Sequence, residues 1–273
     1  MISDTDSQQT FISHLIELRD RLIRALIAVG ILFVALFLWP GSAAIYDLLA
    51  APLMKALPEG SKMIATGVVT PFLVPMKVTG LVAFVLALPY VLYQVWAFIA
   101  PGLYSHEKKF GLPLVVASTL LFLLGMAFCY FFVFGKVFAF INEFAPKSIT
   151  PAPDIENYLS FVMTMFLAFG LTFEIPVVVV VLARMGMVTV AQLREARPYV
   201  IVGAFVVAAV VTPPDVLSQL LLAIPMCLLY ELGVWVASLM AKPASDEEDY
   251  HPLSDEEMER ELDTIEAEQK KPD

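Results

Sequence analysis

Residues 111–135 read GLPLVVASTLLFLLGMAFCYFFVFG, 25 consecutive positions without a charge. A helix rises about 1.5 Å per residue and the hydrocarbon core of a bilayer is about 30 Å thick, so about 20 apolar residues suffice to cross it. This stretch therefore reads as a membrane-spanning helix. Three further long apolar runs surround it. Residues 22–39 hold Arg24 near enough to one end to snorkel, residues 71–99 hold Lys77 near their start, and residues 158–183 hold one charge, Glu174. Beyond them, residues 199–211 give 13 apolar positions before Thr212-Pro213-Pro214-Asp215. A last run begins at Val216 and continues as a helix to about Met240. Adjacent prolines followed by Asp cannot continue a helix and force a reversal. The last two runs thus read as a short hairpin reaching only part way across the bilayer.

The whole composition agrees. Of 273 residues, 59% are hydrophobic and 16% charged, with a mean hydropathy of +0.78, against about half and a quarter in soluble domains. This pattern excludes a mostly disordered chain and a nucleic-acid binder. The fold expected is all-α: a polytopic bundle of six transmembrane helices with a short fifth/sixth hairpin, spanning 22–39, 71–99, 111–135, 158–183, 199–211 and 216–240. Six spans place both termini on one side, and the basic residues say which. That side holds Arg19, Arg21, Arg24, Lys108, Lys109, Arg184, Arg194, Arg197, Lys242, Arg260, Lys270 and Lys271; the other holds Lys55, Lys62, Lys136 and Lys147. Both termini are expected in the cytoplasm.

The formal net charge of −10 is concentrated at one end. Residues 242–273 carry 13 acidic and 4 basic side chains, a net of −9, so residues 1–241 are close to neutral. The chain divides into a membrane domain, 1–241, and an acidic, solvated, flexible cytoplasmic tail, 242–273. Asp4, Asp6, Glu17 and Asp20 at the N-terminal end do not fit the basic start of a cleaved signal peptide.

Chemical motifs are few. There is no phosphate-binding Gly-x-x-x-x-Gly-Lys loop, no Gly-x-Ser-x-Gly elbow and no His-Glu-x-x-His pair, so no enzyme activity is expected. Cys129 and Cys227 sit in apolar runs and read as small buried hydrophobes. They and His14, His106 and His251 lack ligand-like spacing, so neither metal nor cofactor is expected. Any energy must come from a partner or from the membrane potential, about 2.3 kcal/mol per elementary charge per 100 mV.

Four polar features remain. The segment 11–22, FISHLIELRDRL, is amphipathic, and Glu17–Arg21 and Asp20–Arg24 have the spacing of i,i+4 pairs. In the loop 94–109, Pro101 and Gly102 end the second span, and Trp96, Phe98 and Tyr104 suit an interfacial aromatic belt. Glu174 lies near mid-membrane, where a carboxyl is costly and either marks function or, protonated and hydrogen-bonded to a neighbouring helix, serves structure. Gln219 lies one turn into the last span, where an unpaired amide seeks a polar partner. Thirteen residues give roughly 20 Å, some 10 Å less than the hydrocarbon thickness. That mismatch is relieved by thinning, by flanking residues or by another helix, so the hairpin is expected to dock partner helices through Thr212 and Gln219, the alternative being a hydrogen bond of Gln219 within the bundle.

Several strings together resemble one family, the TatC subunit of the twin-arginine protein translocase. They are HLIELRDRL (14–22), YQVWAFIAPGLY (93–104) with His106-Glu107, FEIP (173–176), and TPPDVLSQ (212–219) followed by Ala223-Ile224-Pro225. The resemblance implies a core receptor of the bacterial cytoplasmic (inner) membrane. It would recognise Arg-Arg signal peptides of folded cargo and form an oligomeric complex with the single-span TatA and TatB, driven by the proton motive force. It places signal-peptide binding on Glu17, Arg19, Leu22, Phe98 and Glu107, an intramembrane glutamate on Glu174, and the short hairpin's family residues on Asp215 and Gln219. Pro52 also fits a family proline. The acidic tail has no counterpart in that pattern. Two adjacent guanidiniums call for carboxylates, which Arg binds bidentately. The rival readings are a proton-coupled small-solute transporter using Glu174, which a single buried acid and the lack of an internal repeat disfavour, and a passive membrane scaffold.

Overall fold

A computed structural model of the chain describes residues 3–56, 63–99, 108–137, 140, 154–212 and 215–240. Among them the architecture is helical, without a strand beyond one isolated bridge between Ile64 and Asp154. The helices are α1 (Ser3–Leu38), α2 (Ser42–Ala56), α3 (Thr70–Ile99), α4 (Lys108–Phe128), α5 (Ile155–Phe173), α6 (Ile175–Arg184), α7 (Val190–Glu195), α8 (Arg197–Val211) and α9 (Val216–Met240). Five apolar stretches are long enough to cross a membrane: Ile12–Leu38, Thr70–Ile99, Gly111–Val137, Ile155–Arg184 and Val216–Met240. Arg197–Val211 is apolar and shorter; its 15 residues reach about 22 Å.

These spans match the expected runs with four corrections. First, the first helix begins well before residue 22, since α1 runs unbroken from Ser3 through the amphipathic segment. Second, the fourth span is two helices, α5 and α6, meeting at Glu174, because Pro176 at the start of α6 has no N–H to continue the ladder. Third, only α8 of the hairpin is short, since α9 accommodates Pro225 within its 25 residues. Fourth, the connection between the first two spans contains the unforeseen helix α2. Ile45 of α2 is buried with Val74 and Val78 of α3 and Leu159 of α5, and Tyr46 and Leu49 pack beside it.

The core lies between α3, α4 and α5. Phe166, Phe169 and Phe173 on α5 meet Leu81, Cys129, Val133 and Phe134, and Leu222 and Ala223 of α9 close the same cluster. Helices approach closely where side chains are absent, as membrane bundles require. Gly125 of α4 faces the backbone carbonyl of Phe169, and Gly170 of α5 faces the Phe122 ring. Cys129 opens a π-helical turn, Cys129–Val133, and is buried; Cys227 is half-buried, and both are free thiols. At the other end of α5, Asp154 caps the helix by accepting from the N–H groups of Glu156 and Asn157 at 3.0 Å each. Its second oxygen accepts from the Thr66 hydroxyl at 2.7 Å and the Thr66 N–H at 3.1 Å. The Thr66 hydroxyl, followed by these backbone donors, holds the Asp154 carboxyl below its usual range. Lys77 and Glu156 add an ion pair of 2.9 Å between α3 and α5.

Candidate functional site

Two groups of polar residues stand out. One lies where the first half of α1 meets the end of α3. Helix α1 presents Glu17, Arg19 and Leu22, and α3 presents Gln94 and Phe98. Two contacts join them: the His14 ring stacks on Phe98 with centroids 4.3 Å apart, and Arg21 reaches Gln94 Oε1 at 3.4 Å. Arg21 also donates to Glu17 through Nε at 2.9 Å and a terminal guanidinium nitrogen at 2.7 Å. Both bonds end on Oε1, so Oε2 of Glu17 has no protein donor among the described residues. The i,i+4 pair Glu17–Arg21 therefore forms, but Asp20–Arg24 does not. Asp20 pairs with Arg19 at 2.8 Å instead, because the adjacent guanidinium reaches it and leaves Arg24 outward. Leu22 is exposed.

Glu107, Pro101, Gly102, Tyr104 and His106 lie outside the described residues, so five expected site residues reduce to four placed ones. Pro52 lies in α2, and its side chain is not among those described. Trp96 corrects the reading of an interfacial belt. It is buried, and its Nε1–H donates to the Ser118 hydroxyl at 2.8 Å, since an indole placed among helices must find an acceptor.

The second group centres on Glu174 at the junction of α5 and α6. It is 7% exposed, and neither carboxyl oxygen has a hydrogen-bond partner among the described residues. Such a group is rare in a native interior and asks for an explanation. The Ser118 hydroxyl is within interaction range of it without completing a hydrogen bond. Sequence reasoning found Glu174 but missed Ser118 and Trp96. The signal available was Ser118 itself, a polar residue inside an uncharged span.

At the hairpin, all three expected residues serve the fold. The Thr212 hydroxyl donates to the Ala208 carbonyl at 2.8 Å, Asp215 accepts from the Ser218 N–H at 2.6 Å, and the Gln219 amide donates to the Phe205 carbonyl at 3.2 Å. This last bond ties α9 to α8 through one Gln219 N–H and leaves the second N–H and Oε1 without a partner among the described residues. At the far end of α9, the Tyr230 hydroxyl donates to the Leu193 carbonyl at 2.7 Å, and Arg197 pairs with Glu231 at 2.7 Å. Among the described residues no group of three or more His, Cys, Asp or Glu could hold a metal.

The profile of the family described as "Sec-independent protein translocase protein (TatC)" matches residues 13–225. The chain belongs to the TatC family. It is 50% identical over 246 residues to the TatC protein of Haemophilus influenzae, covering 90% of this chain and 95% of that one. It is 53% identical over 230 residues to TatC of Escherichia coli K12, covering 84% and 88%. The fold matches a solved structure titled "Crystal Structure of Twin Arginine Translocase Receptor- TatC" with a TM-score of 0.74 and 40% identity, over 84% of this chain and 100% of that one. The protein is thus a membrane-embedded component of a Sec-independent protein translocase, a family of transport proteins.

Proposed function

We propose that this TatC-family chain is the receptor and core subunit of a twin-arginine translocase. It sits in the bacterial inner membrane with six spans and both termini in the cytoplasm. It captures the Arg-Arg signal peptide of folded cargo and assembles with TatA- and TatB-like single-span subunits for export driven by the proton motive force. The observation that carries this reading is the joined end of α1 and α3. Glu17 engages Arg21 through Oε1 alone, and the stacked His14 and Phe98 rings set an apolar wall nearby. An incoming guanidinium is offered Oε2 of Glu17, with the Glu107 carboxylate as the second acceptor. Exposed Leu22 and half-buried Phe98 meet the apolar part of the signal, and Arg19 contributes to the same binding surface.

The hairpin of α8 and α9 is the docking face for the single-span subunits, with Thr212, Asp215 and Gln219 at its turn. Its support is the shortness of α8, about 8 Å less than the hydrocarbon thickness, which association with another helix relieves. Glu174 is the intramembrane polar group on which translocation depends. The acidic tail, 242–273, is a separate cytoplasmic segment. The deciding experiment is site-specific crosslinking from position 107 to a cargo signal. Capture of Arg-Arg cargo, and its loss with Lys-Lys cargo, supports recognition; equal capture of both refutes it.

A further inference from the structure

The unpartnered carboxyl of Glu174 has a neighbour whose own hydrogen bonding is half complete. Helices α4 and α5 run antiparallel, and Phe122 of α4 lies against Gly170 of α5. One turn earlier on α4 is Ser118, and one turn later on α5 is Glu174, so the register brings the two side chains to the same level. Both are buried, Ser118 fully. A hydroxyl offers one proton and two lone pairs, whereas an indole N–H only donates. The Trp96 bond of 2.8 Å therefore occupies a lone pair of Ser118 and leaves its proton to give. Thr119 next to it donates back to the Val115 carbonyl; Ser118 makes no such bond among the described residues.

We propose that Ser118 is the hydrogen-bond donor that positions the Glu174 carboxyl, and that Trp96 positions Ser118 by holding its lone pair. The chain of groups runs Trp96 Nε1–H to Ser118 Oγ, and Ser118 O–H to a Glu174 oxygen. Trp96 is two residues from Phe98, whose ring is stacked on His14. The chain thereby connects the end of α3 to the junction of α5 and α6. The positioning of Glu174 stands on the geometry alone; its response to a signal peptide rests on the recognition reading above.

The test is infrared spectroscopy of the purified full chain in lipid nanodiscs, with the Glu174 carboxyl band assigned by its loss in Glu174→Gln. Ser118→Ala is expected to shift this band, Ser118→Thr to restore it, and Trp96→Phe to broaden or shift it while the protein stays inserted. A band unmoved by Ser118→Ala overturns the positioning role. So does an equal shift in Ser118→Ala and Ser118→Thr, which means the change is general repacking. A synthetic Arg-Arg signal peptide is then added. It is expected to move the band in the unsubstituted chain and not in Trp96→Phe. Binding of the peptide with no band movement overturns the connection, whereas absence of binding overturns the recognition reading and leaves the peptide-free result to judge Ser118.

Discussion

Gly125→Ala and Gly203→Ala are the same substitution with opposite expected signs. At Gly125 the added methyl meets the backbone carbonyl of Phe169, 2.9 Å from its carbon and 3.0 Å from Cδ2 of Phe173. Carbon atoms rest about 3.5–4.0 Å apart, so α4 must withdraw from α5 by roughly half an ångström or more. The obstacle is backbone, which has no rotamer to escape into. Overpacking of this kind costs about 1–3 kcal/mol, and the helix preference of Ala over Gly returns up to about 1 kcal/mol. With that return counted in full, the net expectation is a loss of up to about 2 kcal/mol. At Gly203 of α8, nothing lies within 4 Å of the new methyl, so only the gain remains, up to about 1 kcal/mol. Reversible unfolding of the purified protein in mixed detergent micelles, followed by tryptophan fluorescence, measures both. A Gly125→Ala protein stabilised as Gly203→Ala is expected to be would refute the close crossing of α4 and α5. Equal destabilisation at both sites would refute it as well.

Asp154 gives a pH prediction. Its folded carboxyl is held below its unfolded range, so its contribution is present above the unfolded value and is lost as pH falls through the lower folded one. Unfolding between neutral and acidic pH should show that loss, and Asp154→Asn should flatten this part of the profile. Tyr230→Phe removes the donor to the buried Leu193 carbonyl and should cost about 1–3 kcal/mol in the same unfolding assay. At the hairpin, crosslinkers at Val211 and Gln219 should capture a single-span partner. Gln219→Leu should reduce that capture without loss of the protein; capture from spans one and three alone would contradict docking there.

What the sequence made legible was whatever the bilayer dictates directly. The thickness of hydrocarbon makes residues 111–135 a span whatever they pack against, and the sequence Pro213-Pro214-Asp215 marks the break between α8 and α9. Tertiary choices were less visible. The break at Glu174 depends on Pro176 two residues later, within a run that holds no other charge from 158 to 183. Helix α2 lay hidden in a loop because its apolar residues, Ile45, Tyr46 and Leu49, acquire meaning only against Val74, Val78 and Leu159. Trp96 looked like a belt residue because its acceptor, Ser118, is 22 positions away. Asp20 turned to its neighbour Arg19 because two exposed cations stood within reach and local spacing does not choose between them. Glu174 was legible as costly, but not the company it keeps.

The central claim, recognition of paired arginines at the joined end of α1 and α3, is tested most directly by the affinity of a labelled Arg-Arg signal peptide for the inserted protein. The readout compares the unsubstituted chain with Glu17→Ala and Glu107→Ala. Losing a charge-assisted contact costs about 1.5–3 kcal/mol, so each variant should bind roughly ten- to a hundred-fold more weakly. A helix face serving only its own Glu17–Arg21 pair would lose about 0.3–0.5 kcal/mol of stability and no peptide affinity. Unchanged affinity in both variants would contradict the account.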